Sequence, residues 1–205
     1  MNKNISKMYL RRDRFFLLYL VIISVILSML NEYSTKLVLP NNYSAKLIMF
    51  ISTLKVLGSF GSKDFKMFIF LSCTRKKYYI NKIKSSLINS LFLSIVCTIL
   101  NFFGEEIHII KYIIIIFSFY FIFYILLSSV EIFIEVLSIS QYAAVKFGVL
   151  FFSFPLYVRF IIFGPIFFGD TEWILMNFIP YFSGSLALIC FNMFMSTVAL
   201  KTTEI

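Results

Sequence analysis

An all-α protein that lies in a lipid bilayer is what this chain predicts, on the strength of its composition, its charge and the spacing of its apolar runs. Of 205 residues, 60% are hydrophobic and 14% charged, against about 45–50% and about 25% in a soluble domain. A chain of this size has too little interior to hide so many apolar side chains, among them 27 Phe and 12 Tyr, so lipid is the natural solvent for most of its surface. The 19 Lys+Arg outnumber the 10 Asp+Glu, but they sit between apolar runs rather than on one soluble patch. That excludes nucleic acid as a partner and makes the charge a record of topology. Cys73, Cys97 and Cys190 are too far apart to encode a zinc knot or a disulfide framework.

A helix needs about 20 apolar residues to cross about 30 Å of hydrocarbon, because in lipid its backbone groups must bond within the segment. Residues 15–31, 85–104 and 112–130 contain no Asp, Glu, Lys or Arg and predict spans. The first is not followed by a small-residue cleavage pattern and reads as a retained span. The run after 112 continues past Glu131 and Glu135 to about 137. Lys146 and Arg159 bracket a fifth run, at about 145–163, and a charge-free stretch around Pro180 gives the last, at about 181–200.

The segment at about 43–60 is decided by charge. Without a crossing there, residues 32–84 would form one loop carrying ten Lys/Arg opposite a basic N-terminus, against the positive-inside rule. With a crossing, one side holds 14 Lys/Arg and the other 4. Six spans with both termini in the cytoplasm follow. Residues 1–14, with Ile5, Met8 and Tyr9 at helical spacing among basic residues, predict an interfacial helix on an anionic leaflet. Gly164, Pro165, Gly169 and Pro180 interrupt the stretch 164–180 and predict a re-entrant hairpin between spans five and six.

Between spans two and three, apolar and basic residues interleave. Phe65, Phe68 and Ile69 share a helical face, as do Lys76, Tyr79, Ile80 and Ile83. Two short amphipathic helices meeting near 72–74 would expose Arg75, Lys76 and Lys77 at their joint. On the residues alone, this is either a grip on anionic lipid or a docking element for a soluble partner.

The run Ser62-Lys-Asp-Phe-Lys-Met-Phe-Ile-Phe-Leu-Ser-Cys-Thr-Arg-Lys-Lys-Tyr-Tyr-Ile-Asn-Lys82 resembles that of the ABC transporter type-2 permease family, the membrane-spanning subunits of exporters. It shares their aromatic approach, small-residue pair and Thr-Arg-Lys step before the third span, and it departs from members with a Glu-rich step, offering only Lys63-Asp64. The resemblance implies a coupling helix between spans two and three that docks on a separate ABC ATPase subunit, with Arg75, Lys76, Lys77, Phe68 and Tyr79 in the contact. It also implies a second permease copy or a sister permease, a bacterial cytoplasmic membrane, and a cargo such as an antimicrobial peptide or another amphipathic molecule.

Glu131 and Glu135 lie four residues apart on one helix face. Acids inside a membrane are costly and mark candidate sites. Glu135 is expected to reach the inner headgroups, and Glu131 to face protein and pair with the basic loop. Arg159, four residues after Pro155, either lines a path or anchors a helix end, and Lys55 reaches the inner interface by its long stem. Glu105, Glu106 and the sole histidine, His108, invite a metalloprotease reading. It is set aside because that chemistry needs an Arg where this chain has Ile110 and because no further ligand is near. The chain has no Walker-type glycine loop, so ATP is expected to act through the partner subunit and no cofactor on this chain. Two rival expectations are the substrate-capturing subunit of a vitamin importer and a small accessory membrane protein without its own path.

Overall fold

The computed structural model describes residues 18, 19, 22, 26, 43–58, 75–102, 110–137, 153–167 and 170–202. These are helical almost throughout, with no strand among them. Among the described residues three helices are long and apolar enough to span a membrane: Lys76–Asn101, Tyr112–Leu137 and Glu172–Leu200. Helix α1 is Tyr43–Gly58, α2 Arg75–Phe102, α3 Ile110–Leu137 and α5 Thr171–Thr202. Between the last two, α4 is the π-helix Val158–Phe167, preceded by an α-helical turn at 153–157. Leu18, Tyr19, Ile22 and Ile26 lie on helical backbone and expose their side chains. The rest of the first expected span, the interfacial helix 1–14, and Phe68 with its expected amphipathic helix lie outside the described residues.

Helix α3 organises the bundle, because it packs against all four of the others. Of its most apolar stretch 56% is buried within the protein, against 39% for α2 and 22% for α5. Its Ile116, Phe119, Tyr120, Phe123 and Leu126 join Ile48 and Met49 of α1, Cys97 of α2 and Leu188 of α5 in one core. Residues that rise along α2 meet residues that fall along α3, so those helices are antiparallel, whereas α3 and α5 run parallel. The described helices alternate in direction. Hydroxyls inside the bundle bond back to the preceding turn, as Thr53, Ser94, Thr98 and Ser196 do at 2.5–2.8 Å, which satisfies them where water is absent.

Two expected boundaries are corrected. Helix α2 begins at Arg75 rather than near 85, so Arg75 to Lys84 are its first turns and not a separate amphipathic helix. A charge-free run understates a span when its flanking polar residues face protein, and Tyr78 and Lys82, one turn apart, both bond to α3. Likewise α5 begins at Thr171 and runs through Pro180. Residues 164–167 close α4, and 171–180 open α5, so no re-entrant hairpin forms across the described part of 164–180. Pro180 lacks an N–H, but in apolar surroundings the backbone has no partner outside the helix. Nearby polar side chains fit into the same turns: Asn177 donates to the Trp173 carbonyl at 3.0 Å, and Ser183 donates to that of Pro180 at 3.2 Å.

Pro165 accounts for the wide winding of α4. In an α-helix its ring would press on the carbonyl one turn back, and a π-wound segment relieves such a conflict. Gly184 then lets α4 lie close on α5, since a Cβ there would stand 2.3 Å from the Phe160 ring. Gly184→Ala should therefore destabilise the detergent-solubilised protein by about 1–3 kcal/mol. Thermal unfolding should show this loss, and a second change, Phe160→Leu, should recover most of it.

Candidate functional site

At the basic end of the bundle, α2 and α3 are joined by charge. Lys82 Nζ donates to Glu131 Oε1 and to Glu135 Oε1, both at 3.0 Å. The Tyr78 hydroxyl donates to the other Glu135 oxygen, Oε2, at 3.0 Å. Both Glu135 oxygens are thus bonded and its side chain is 3% exposed, against 16% for Glu131 and 21% for Lys82. Glu135 does not reach the headgroups as the sequence led one to expect. It is the more enclosed acid, because Tyr78 and Lys82 of α2 cover it.

Spacing explains the cluster. Glu131 and Glu135 are four residues apart on α3, and Tyr78 and Lys82 are four apart on α2, so each pair stacks along one helix face and the two faces meet. One ammonium held between two carboxylates in a poor solvent for ions is strongly directional. Buried ions need both a counter-charge and hydrogen bonds to the remaining atoms, and Glu135 has both. Lys82 was not singled out among the lysines of its stretch. The signal that points to it is the i, i+4 acid pair, which lies about 30 Å along the helix from Lys111, the one basic residue of α3, and so demands a cation from a neighbour.

Beside the cluster lies a cleft of about 50 Å³. Ser52 and Lys55 from α1, Lys82 and Asn89 from α2, and Ser128 and Glu131 from α3 line it. Its polar walls and size admit ordered water. Lys55 thus points into the helix interface, where it adds a second positive charge to a group holding two negative ones. Ser90 and Ser128 meet across α2 and α3 at 3.4 Å, one turn further in.

The remaining expected site residues divide between the two ends. Lys76 and Lys77 are exposed at the start of α2. Arg75 opens that helix, and the placement of its side chain lies outside the described residues. Tyr79 turns inward: its hydroxyl lies 3.4 Å from the Met193 carbonyl and 3.3 Å from Met193 Sδ, tying α2 to α5. Arg159 is exposed on α4, on the far side of the bundle from Lys82. Glu105, Glu106 and His108 lie outside the described residues, and among those described no group of three His, Cys, Asp or Glu is placed to hold a metal.

A second polar chain secures the middle. Tyr157 donates to Asn192 Oδ1, Asn192 Nδ2 donates to Ser129 Oγ at 2.9 Å, and Ser129 donates to the Leu126 carbonyl at 2.7 Å. Three helices are linked in one relay, and Asn192 and Ser129 are fully buried. At the opposite end Lys46 pairs with Asp170 at 2.6 Å, so α1 and α5 are joined there, where Asp170 also starts the last helix by accepting from Ile174 N–H at 2.9 Å.

Fold and site together define a helical protein suited to a membrane, in which a charged cluster fixes a basic helix end to the central helix. Comparison with protein-family models, with curated proteins and with solved structures gives no match.

Removing the cation should be worse than removing the whole charged group. Lys82→Met removes the ammonium that both acids share and is expected to cost about 3–5 kcal/mol in thermal unfolding of the solubilised protein. The combination Lys82→Met, Glu131→Gln, Glu135→Gln should restore most of that loss. An unchanged unfolding temperature in Lys82→Met alone would show that the three charges do not hold the helices.

Proposed function

We propose that this chain is the membrane-spanning permease subunit of an ATP-driven ABC exporter, moved by a separate ATPase that docks where α2 begins. The observation that carries the reading is a continuity. Exposed Lys76 and Lys77 stand on the same helix as Lys82, about 9 Å along its axis, and Lys82 is clamped to the central helix. A push on the basic turn therefore reaches α3 through charge contacts rather than through a loose loop. The resemblance of residues 62–82 to the coupling region of type-2 permeases supplies the identity of the pushing partner.

In this scheme six spans form the permease, both termini are cytoplasmic, and the basic end of the described bundle faces the bacterial cytoplasm, in keeping with the excess of Lys and Arg there. Two copies, or this chain and a sister permease, enclose the path. ATP closes the ATPase pair, the closed pair binds one arrangement of the first turns of α2 better than the other, and the path opens outward by that difference. An antimicrobial peptide or another amphipathic molecule is the cargo class, and Arg159 lies on its side of exit.

A pull-down in mild detergent of the tagged protein from its native membranes tests this directly. A soluble P-loop ATPase is expected at comparable stoichiometry with the wild type. The triple reversal Arg75→Glu, Lys76→Glu, Lys77→Glu should insert normally and retain less than about a tenth as much, the effect of like charges replacing a steering patch. Recovery without any ATPase would favour an accessory protein or the capture subunit of a vitamin importer, and equal recovery with the reversed charges would remove the docking assignment.

A further inference from the structure

At the end of the bundle away from Lys82, α4 and α5 leave between them a groove of about 280 Å³. Phe160, Phe163, Trp173 and Tyr181 give it aromatic walls, and Arg159 and Asn177 give it polar ones. Behind it the rings interlock: Phe119 lies 4.8 Å from Tyr181 and 6.3 Å from Trp173, and Trp173 lies 6.3 Å from Tyr181, centre to centre. A cluster packed in this way is a firm wall rather than a collapsible one.

The cation sets the chemistry. Arg159 lines the groove together with Asn177, Pro180 and Tyr181 of α5, six to ten residues inside the helix that begins at Thr171, which is about 9–15 Å along its axis. A guanidinium at that depth needs an anion or water. Among the described residues no carboxylate pairs with Arg159, whereas Lys46 has one and Lys82 has two. Of the two described acids at this end, Asp170 is engaged by Lys46 at 2.6 Å, and Glu172 is exposed in the first turn of α5. Five N–H donors are thus presented beside an aromatic slot. Asn177 has committed its amide N–H to the Trp173 carbonyl, which fixes its side chain at the rim.

The winding of α4 opens this slot. A Cβ at position 164 would stand 3.0 Å from the Trp173 indole and 3.2 Å from the Arg159 carbonyl. Glycine there allows the π-wound turn, the Trp ring and the backbone of Arg159 to converge without filling the groove. Such turns recur at functional sites because they splay neighbouring side chains apart.

We infer that this groove binds an amphiphile with one carboxylate or phosphate head and an apolar or aromatic body, its head on Arg159 and its body between Phe160, Phe163 and Trp173. Charge complementarity selects the head, and the ring-lined walls select the body. The site deepens the exporter reading by naming a cargo class, yet its capture of ligand is read on this chain alone, so the loss of one does not carry the other with it.

Trp173 is the only tryptophan, so its fluorescence reports on the groove without a label. Purified full-length protein in a neutral maltoside detergent is titrated with 11-bromoundecanoate and, separately, with (11-bromoundecyl)trimethylammonium, whose bromine quenches indole on contact. The carboxylate should quench saturably at a concentration at least tenfold below that of the ammonium. Arg159→Gln should abolish the difference, and Arg159→Lys should keep part of it, with circular dichroism and gel filtration confirming that both variants are folded. Gly164→Ala, which pushes the indole, should weaken carboxylate quenching several-fold. Bromoacyl phosphatidylglycerol in nanodiscs quenching as well as the free acid would identify the bilayer as the source of the ligand, and quenching by the free acid alone would identify a free amphiphile. Equal quenching by carboxylate and ammonium, or an unaltered preference in folded Arg159→Gln, would overturn the site.

Discussion

Two carboxylates four residues apart, in a stretch of α3 from Tyr112 to Leu137 that holds no other charge, set the condition that the rest of the bundle meets. Neither Glu131 nor Glu135 can be left without a cation in apolar surroundings, and Lys82 supplies it to both at 3.0 Å. Once that contact is fixed, the register of α2 on α3 follows step by step. Ser90 meets Ser128, Cys97 meets Tyr124 at 3.1 Å, and Asn101 receives the Tyr120 hydroxyl at 3.4 Å. Each of these is modest by itself, about 0.6 kcal/mol for a polar contact between membrane helices. Together they exclude a slipped pairing, because a slip of one turn would strand several buried polar groups at once.

The two ends of the molecule are built for different tasks. The basic end is tight: α2, α3 and α5 are tied by Lys82, Tyr78 and Tyr79, and the exposed lysines lie just beyond. The opposite end carries a groove between a π-wound helix and a wall of edge-to-face and tilted rings. The relay from Tyr157 through Asn192 to Ser129 lies beside the charge cluster and joins the segment before α4 to α5 and α3. The permease role proposed above would use such a division, with one end to accept a push and the other to hold and release a solute, linked by helices that move as bodies.

Much of the fold class was legible because composition leaves few alternatives: an apolar chain of this length in lipid must be helical or a closed barrel, and its runs have helical length. Helix ends were less legible. The rule that spans stop at charges placed the start of α2 ten residues late, since the rule cannot know that Lys82 faces a pair of acids rather than water. Gly and Pro likewise suggested a hairpin at 164–180, whereas the lack of any other backbone partner kept 171–180 helical. Of the site, the acid pair and the basic run were visible in sequence, and so was Arg159 as a lone charge on an apolar run. Their grouping was not, because contact between α2 and α3 depends on packing over the whole length of both helices.

The first turns of α2 are locked to α3 by Tyr78 and Lys82 rather than resting on a lipid surface. Hydrogen exchange of the detergent-solubilised protein, read by mass spectrometry over residues 76–84, measures this directly. The amides of that segment from Tyr79 onward, beyond the first turn whose N–H groups have no acceptor within the helix, should be protected nearly as strongly as those of buried α3, and Lys82→Met should release them while leaving 112–126 protected. Fast exchange over 76–84 in the unaltered protein would mean that these turns fray at the interface, and the charge cluster would then not connect the basic end to the core.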